Sequence, residues 1–205
     1  MTAEHPTARG VATRPGHPPD PPAHRPEPPV PSTQPQRPAD FRTLMAGFPT
    51  GVTIVTTTGA DGVPWGMTLT SLCSVSLEPP ILLVCMRRGS PTLDAVLDSG
   101  RFAVNLLRGG AQSTAELFAS GAADRFDRVA WGAGEGAAGP HLFQAAYTIA
   151  DCSVTAHHTV GDHVVIMGGV TRVVRQGVQQ PLLYGLRSFA VWPEAEGFLS
   201  YDFML

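Results

Sequence analysis

Between residues 40 and 192, apolar positions fall into short runs of similar length, dense in Val, Ile and Thr and punctuated by Gly, Pro or Asp. Such runs predict strands. The segment opens differently: Phe41, Leu44, Met45 and Phe48 recur at three-to-four spacing, which predicts a short helix capped by Asp40, running to about Gly47 and stopped by Pro49. Gly51–Thr58 and Val63–Thr70 flank the turn residues Gly59-Ala60-Asp61-Gly62 and predict a hairpin. A strand at Ile81–Met86 follows Pro79-Pro80, Pro91 opens a helix through Ser99 that Gly100 ends, and Phe102–Leu107 is the next strand. Ala111–Ala119 is expected to be helical and Gly132 to Gly139 a loop. Two long β-segments, Tyr147–Val160 and His163–Val174, are separated by Gly161-Asp162, and a short final strand is expected around Leu182–Tyr184. Many antiparallel strands with two or three short helices make a mainly β fold, closed or nearly closed into a barrel, rather than a parallel sheet.

Composition divides the chain of 205 residues. Twelve of its twenty prolines precede residue 40, and that stretch has Val11 and Val30 as its only branched aliphatics and no aromatic residue. It cannot bury enough apolar surface to offset chain entropy, so residues 1–39 are expected to form a disordered Pro-rich tail. The domain is expected over 40–193, with a C-terminal extension at 194–205. A net charge of −3 and the absence of lysine argue against a nucleic-acid partner. No apolar run approaches the ~18–20 residues that span a bilayer, and the N-terminus lacks the apolar segment of a secretory signal, so a cytoplasmic protein is expected. Cys73, Cys85 and Cys152 form no CxxC pair and sit in apolar stretches, the pattern of buried reduced thiols.

Several segments offer chemistry. Gly134-Glu135-Gly136-Ala137-Ala138-Gly139 matches GxGxxG, but Pro140 follows and no strand–turn–helix unit surrounds it, so a dinucleotide fingerprint is not expected there. His157, His158 and His163 have no carboxylate or Cys at ligand spacing, and adjacent strand residues face opposite ways, so no metal is expected. The hydroxyl-rich run from Thr68 to Ser76 can present hydroxyls and amides to one surface, either a phosphate site or a solvated face. Ser90-Pro91-Thr92 begins a helix, where an anion or a plain N-cap fits equally well. Asn105, the only asparagine, lies inside an apolar strand and needs a dedicated partner, backbone or ligand. No paired carboxylates or nucleophile triad is recognisable.

Taken in order, five motifs resemble the flavin reductase family of FMN-binding split barrels, which includes the small components of two-component aromatic hydroxylases. They are Phe41-Arg42 through Phe48-Pro49-Thr50-Gly51-Val52; Gly66-Met67-Thr68 with Ser71, Ser74-Val75-Ser76-Leu77 and Pro79-Pro80; Ser90 and Thr92; Phe102-Ala103-Val104-Asn105; and Gly161-Asp162-His163. The resemblance implies an antiparallel split β-barrel with Greek-key connections, a homodimer, and flavin, FMN or FAD, in a groove near the subunit interface. It also implies NADH or NADPH as hydride donor, and a monooxygenase partner that consumes the reduced flavin. On this reading the Met67–Ser74 strand, with Met67, Thr68, Thr70, Ser71, Leu72, Cys73 and Ser74, lines the isoalloxazine and ribityl chain, and Gly66 before it also binds cofactor. Ser90 and Thr92 hold the phosphate, and Asn105 lies close to the flavin. His163, Pro49, Thr50, Gly51, Leu183 and Tyr184 face the nicotinamide nucleotide, with Arg125 and Phe126 close to the same groove. Thr70-Ser71-Leu72 stands where many relatives carry Ser-Ser-Phe, so an aromatic contact is missing. Two other functions fit flavin motifs: an oxidoreductase that keeps its flavin and acts on its own substrate, and a non-catalytic flavin carrier or sensor.

Overall fold

A computed structural model of the chain describes residues 37–192 apart from Val178. The expected C-terminal extension and all of the expected tail but its last three residues lie outside the described residues. Helix α1 spans Pro38–Ala46, with Arg37 at the N-cap and Pro38 in the first turn, so the helix begins two residues before Asp40. Asp40 is not the cap; it sits in the first turn, 3.2 Å from the Arg37 guanidinium.

The strand expected at Gly51–Thr58 is divided at Val52 into β1 (Thr50–Gly51) and β2 (Thr53–Thr58). Val52 belongs to both neighbourhoods, because its N–H donates to Leu182 and its carbonyl accepts from Leu107. The chain continues through β3 (Pro64–Leu69), β4 (Cys73–Leu77), β5 (Pro80–Arg87), α2 (Pro91–Ser99), β6 (Arg101–Leu107) and α3 (Gln112–Ser120). Strands β7 (Ala146–Val160), β8 (His163–Arg175), β9 (Leu182–Gly185) and β10 (Ser188–Val191) complete it. Leu182–Tyr184 is therefore not the last strand: β10 turns back on β9, and Phe189 meets Tyr184 edge-on with ring centroids 5.1 Å apart.

Seven strands form one antiparallel sheet in the order β3-β2-β6-β7-β8-β5-β4, and β1-β9-β10 form a second. The order dictates a shape. β3 and β4 are the two edges of the larger sheet, yet only Thr70, Ser71 and Leu72 lie between them. Four Cα steps reach at most about 14 Å, whereas a flat seven-stranded sheet would hold its edges about 29 Å apart. The sheet must roll until its edges approach each other. Ser71 stitches the seam, since its hydroxyl accepts from the Cys85 N–H at 2.9 Å and donates to the Cys85 carbonyl at 3.1 Å. The single strand expected from Met67 to Ser74 is thus broken, as the backbone leaves its ladder with β2 and begins another with β5.

One apolar cluster fills the roll, with Val55, Met86, Phe102, Val104 and Ile166 packed against Leu93 and Val96 of α2. Each such side chain contributes about 1.5–3 kcal/mol on burial. Ser90 caps α2 by accepting the Leu93 N–H at 3.1 Å, and Gly100 closes it at φ 65°. A second cluster, with Ile54, Leu107, Phe118, Phe126 and Leu142, lies where α3 packs against β3 and β2. The cysteines are all free, but only Cys152 is buried, its thiol pushed up to about 12 by desolvation and by Asp151; Cys85 is half-buried and Cys73 exposed. Among the described residues no helix is long and apolar enough to cross a membrane.

Candidate functional site

The glycine-rich connector before β7 is held from three sides. Asp151, on β7 and fully buried, accepts from the Ala138 N–H at 2.8 Å, from His141 Nε2 at 2.8 Å and from Arg172 Nε at 2.7 Å. Arg172 also donates to the Glu135 carbonyl, and Arg101 donates to the carbonyls of Gly136 and Ala137. The GxGxxG segment therefore spends its polar groups on the fold and has no helix behind it. Burial is the largest influence on the Asp151 carboxyl and pushes it up, but the hydrogen bonds from His141, Ala138 and Arg172 and the His141 charge together outweigh it, leaving the group below its usual range. Sequence reasoning missed this trio because its members are ten and twenty-one residues apart. The available signal was Asp151 itself, a lone acid within an apolar strand.

An open cleft of about 770 Å³ lies where the sheet's seam meets the small sheet. It brings together the expected residues Thr50, Thr70, Ser71, Leu72, Cys73 and Tyr184. β1 and β9 assemble the far wall, with Thr50 opposite Tyr184 and Gly51 opposite Leu183. A second cleft of about 500 Å³, lined by Val52, Thr68, Glu116, Ser120 and Phe189, shares Thr70 and Tyr184 with the first. Phe41, Met45 and Phe48 of the first cleft and Phe189 of the second were not anticipated, and they supply the aromatic and apolar walls that Leu72 alone does not. The hydroxyls differ in availability. Thr68 donates to the Ala115 carbonyl at 2.6 Å and Ser71 is engaged with Cys85, whereas Thr70 is exposed. Gly51 borders a further recess of about 210 Å³, and a Cβ there would meet nothing within 4 Å. Flat apolar walls with a few hydroxyls and open backbone fit a planar heteroaromatic ring with a polar chain.

Other expected site residues lie elsewhere. Ser90 donates to Met67 Sδ at 3.7 Å while capping α2, and Thr92 is buried beside it. His163 stands opposite Arg87 on β5, its Nδ1 2.8 Å from Asp162 Oδ1; its hydrogen bond and then its charge hold the Asp162 carboxyl below the usual range. Arg88 reaches the same corner by donating to the carbonyls of Asp162 and Gly161. Four further expected residues are engaged with neighbours inside the protein. Asn105 is fully buried: its amide donates to the Ile54 carbonyl and Thr56 hydroxyl, and its carbonyl accepts from Leu142, so no ligand is needed. Gly66 is interior, with space for a Cβ taken by Phe118 at 3.0 Å and Thr56 at 3.1 Å. Arg125 donates to the Gly66 and Ala122 carbonyls beneath the Trp65 ring, and burial lowers its pKa. Phe126 stacks edge-on with Phe118 in the second core cluster.

Residues 45–193 match the family model described as "Flavin reductase like domain". The chain belongs to the flavin reductase like family. It is 45% identical over 157 residues to the flavin reductase (NADH) of Kitasatospora aureofaciens, covering 76% of this chain and 82% of that one. It is 48% identical over 154 residues to the flavin reductase (NADPH) of Lentzea aerocolonigenes, with 75% and 89% covered. The reductase subunit of a flavin-dependent monooxygenase from Rhodococcus jostii is 38% identical over 147 residues, 72% of this chain and 74% of that one. Among solved structures, the NADH:FAD oxidoreductase of Streptomyces globisporus C-1027, in complex with NAD and FAD fragments, superposes with a TM-score of 0.69 at 30% identity, covering 81% and 94%. As a member of this family the chain is mainly β, with a few short helices.

Proposed function

We propose that this chain is an NAD(P)H-dependent flavin reductase that reduces FMN or FAD by hydride transfer and releases it to a monooxygenase. The observation that carries the reading is the seam cleft, whose lining of Thr50, Thr70–Cys73 and Tyr184 joins family motifs from separate parts of the chain around apolar walls. Flavin, when bound, supplies the hydride acceptor, and the protein's share is binding, orientation and exclusion of side reactions. Thr70 and the backbone at Gly51 offer the polar contacts, while Leu72, Phe48 and Tyr184 offer the surfaces against which planar rings stack. Ser90 and Thr92, at the start of α2, hold the flavin phosphate, and His163, oriented by Asp162, hydrogen-bonds the nicotinamide nucleotide. The short link between the two edges of the larger sheet supports a split barrel with Greek-key connections. Phe41 and Leu44 on α1 and Phe48 just after it, all more than half exposed, and Leu77 on the edge strand β4 support a homodimer. The named relatives support both nicotinamide cofactors and a monooxygenase partner, and a cytoplasmic location agrees with a soluble donor and acceptor.

Steady-state oxidation of NADH and NADPH, with FMN and FAD each added or omitted, tests this reading. Turnover that saturates with added flavin is expected. Turnover without added flavin and acting on another acceptor would instead indicate an oxidoreductase that retains its flavin, and bound flavin that NAD(P)H does not bleach would indicate a carrier.

A further inference from the structure

The rim of the seam cleft carries two guanidinium groups that stacking of a flavin or nicotinamide ring does not call for. Arg42 comes from α1 and Arg187 from the turn between β9 and β10, and both line the same 770 Å³ cleft. That turn has two residues between the paired Gly185 and Ser188, the hairpin class in which both central residues take positive φ. Leu186 at φ 50° and Arg187 at φ 61° occupy it, where Gly or Asn would sit without strain. The Leu186 N–H donates to the Ala46 carbonyl at 2.6 Å, which fixes the turn against the end of α1. This backbone contact accounts for the geometry of the turn and leaves arginine at 187 unexplained. Among the described residues no carboxylate lines the cleft and neither arginine is in an ion pair. Two cations beside aromatic walls and threonine hydroxyls make a surface for a planar base carrying a phosphate, which guanidinium groups grip in a bidentate fork.

We propose that Arg42 and Arg187 form a phosphate-recognition pair that holds a phosphate group of the nucleotide occupying the cleft. The proposal rests on the assignment of the cleft to nucleotide binding. Two sources present the required chemistry: the diphosphate common to NADH, NADPH and FAD, and the 2′-phosphate found only on NADPH.

Calorimetric titration of the full chain with adenosine, ADP and adenosine 2′,5′-bisphosphate tests it, comparing wild type with Arg42→Gln and Arg187→Gly. The second substitution removes the guanidinium while relieving the strained φ, so it retains the fold, which its melting temperature checks. Both variants are expected to lose about tenfold or more in affinity for a phosphorylated probe, with adenosine unaffected. Loss confined to the 2′,5′-bisphosphate identifies the 2′-phosphate, and equal loss for ADP identifies the diphosphate. Unchanged affinity for both probes in both variants overturns the pair, as does failure of wild type to bind either probe more tightly than adenosine. Because the titration needs no turnover, absence of NAD(P)H oxidation would refute the reductase reading while leaving this result to stand separately.

Discussion

The glycine-rich connector and the seam between β3 and β4 both look, as strings of residues, like places for a phosphate. One offers GxGxxG at 134–139 and the other a run of hydroxyls from Thr68 to Ser76. In the folded chain they diverge. The connector's Ala138 N–H and the carbonyls of Glu135, Gly136 and Ala137 are all taken by Asp151, Arg172 and Arg101. At the seam, Thr68 and Ser71 are spent on the fold, but Thr70 stays open to a cleft. In these two segments, the polar groups bonded within the protein hold the architecture, and Thr70 is the one left open to a ligand.

The contrast can be broken most severely at Asp151. Asp151→Ala strips the acceptor from three donors and leaves Arg172 and His141 without their carboxylate, so a loss of about 3–5 kcal/mol in urea unfolding is expected. The same carboxyl sets an acid limb. Its folded pKa lies below the unfolded value, so its contribution is complete above about pH 4 and is lost as pH falls through the folded pKa. An acid limb that persists unchanged in Asp151→Ala would assign it to other groups.

Flavin affinity should respond next, at the α2 start. Replacing Ser90 and Thr92 together by Ala should weaken FMN binding by about 1.5–3 kcal/mol for each charge-assisted bond removed, while riboflavin, which lacks the phosphate, binds as before. Equal weakening of FMN and riboflavin in fluorescence titrations would reduce both residues to their structural role, in which the Ser90 cap contributes about 1 kcal/mol to stability. The smallest effect belongs to Thr70→Val. Its hydroxyl has no hydrogen-bond partner among the described residues, so the melting temperature should not move and flavin binding should weaken by about 0.5–1.5 kcal/mol. A stability loss without an affinity change would place Thr70 with the saturated residues.

What was legible in the sequence follows from the same physics. β2, β5, β6, β7 and β8 were readable because their apolar and β-branched runs end at glycine or proline, whose backbone limits are local. β10 escaped because Leu186 and Arg187 carry no turn signal, although both adopt left-handed backbone. The break at Thr70–Leu72 was hidden because serine and threonine look alike whether they continue a ladder or replace one, and only the partner strand, β2 or β5, distinguishes the cases. The cleft was partly legible for a related reason. Thr50, Thr70 to Cys73 and Tyr184 meet in one cleft, whereas Gly66, Asn105, Arg125 and Phe126 sit in equally suggestive motifs and are engaged by neighbours inside the protein. Arg42 lies within the Phe41–Val52 motif and Arg187 beside the expected last strand, yet only the packing of the β9–β10 turn against α1 brings them to one rim.

The three residues between β3 and β4 act as a tether of fixed length across the gap in the rolled sheet. A tether this short has no slack, so the aperture between the edges is governed by residue count before any side chain is chosen. Lengthening it by a residue would loosen the circumference of the whole sheet, and shortening it would draw the walls together. The dimensions of the opening are thus a mechanical property of the chain, adjustable by insertion and deletion at a position where substitution alone changes only the lining.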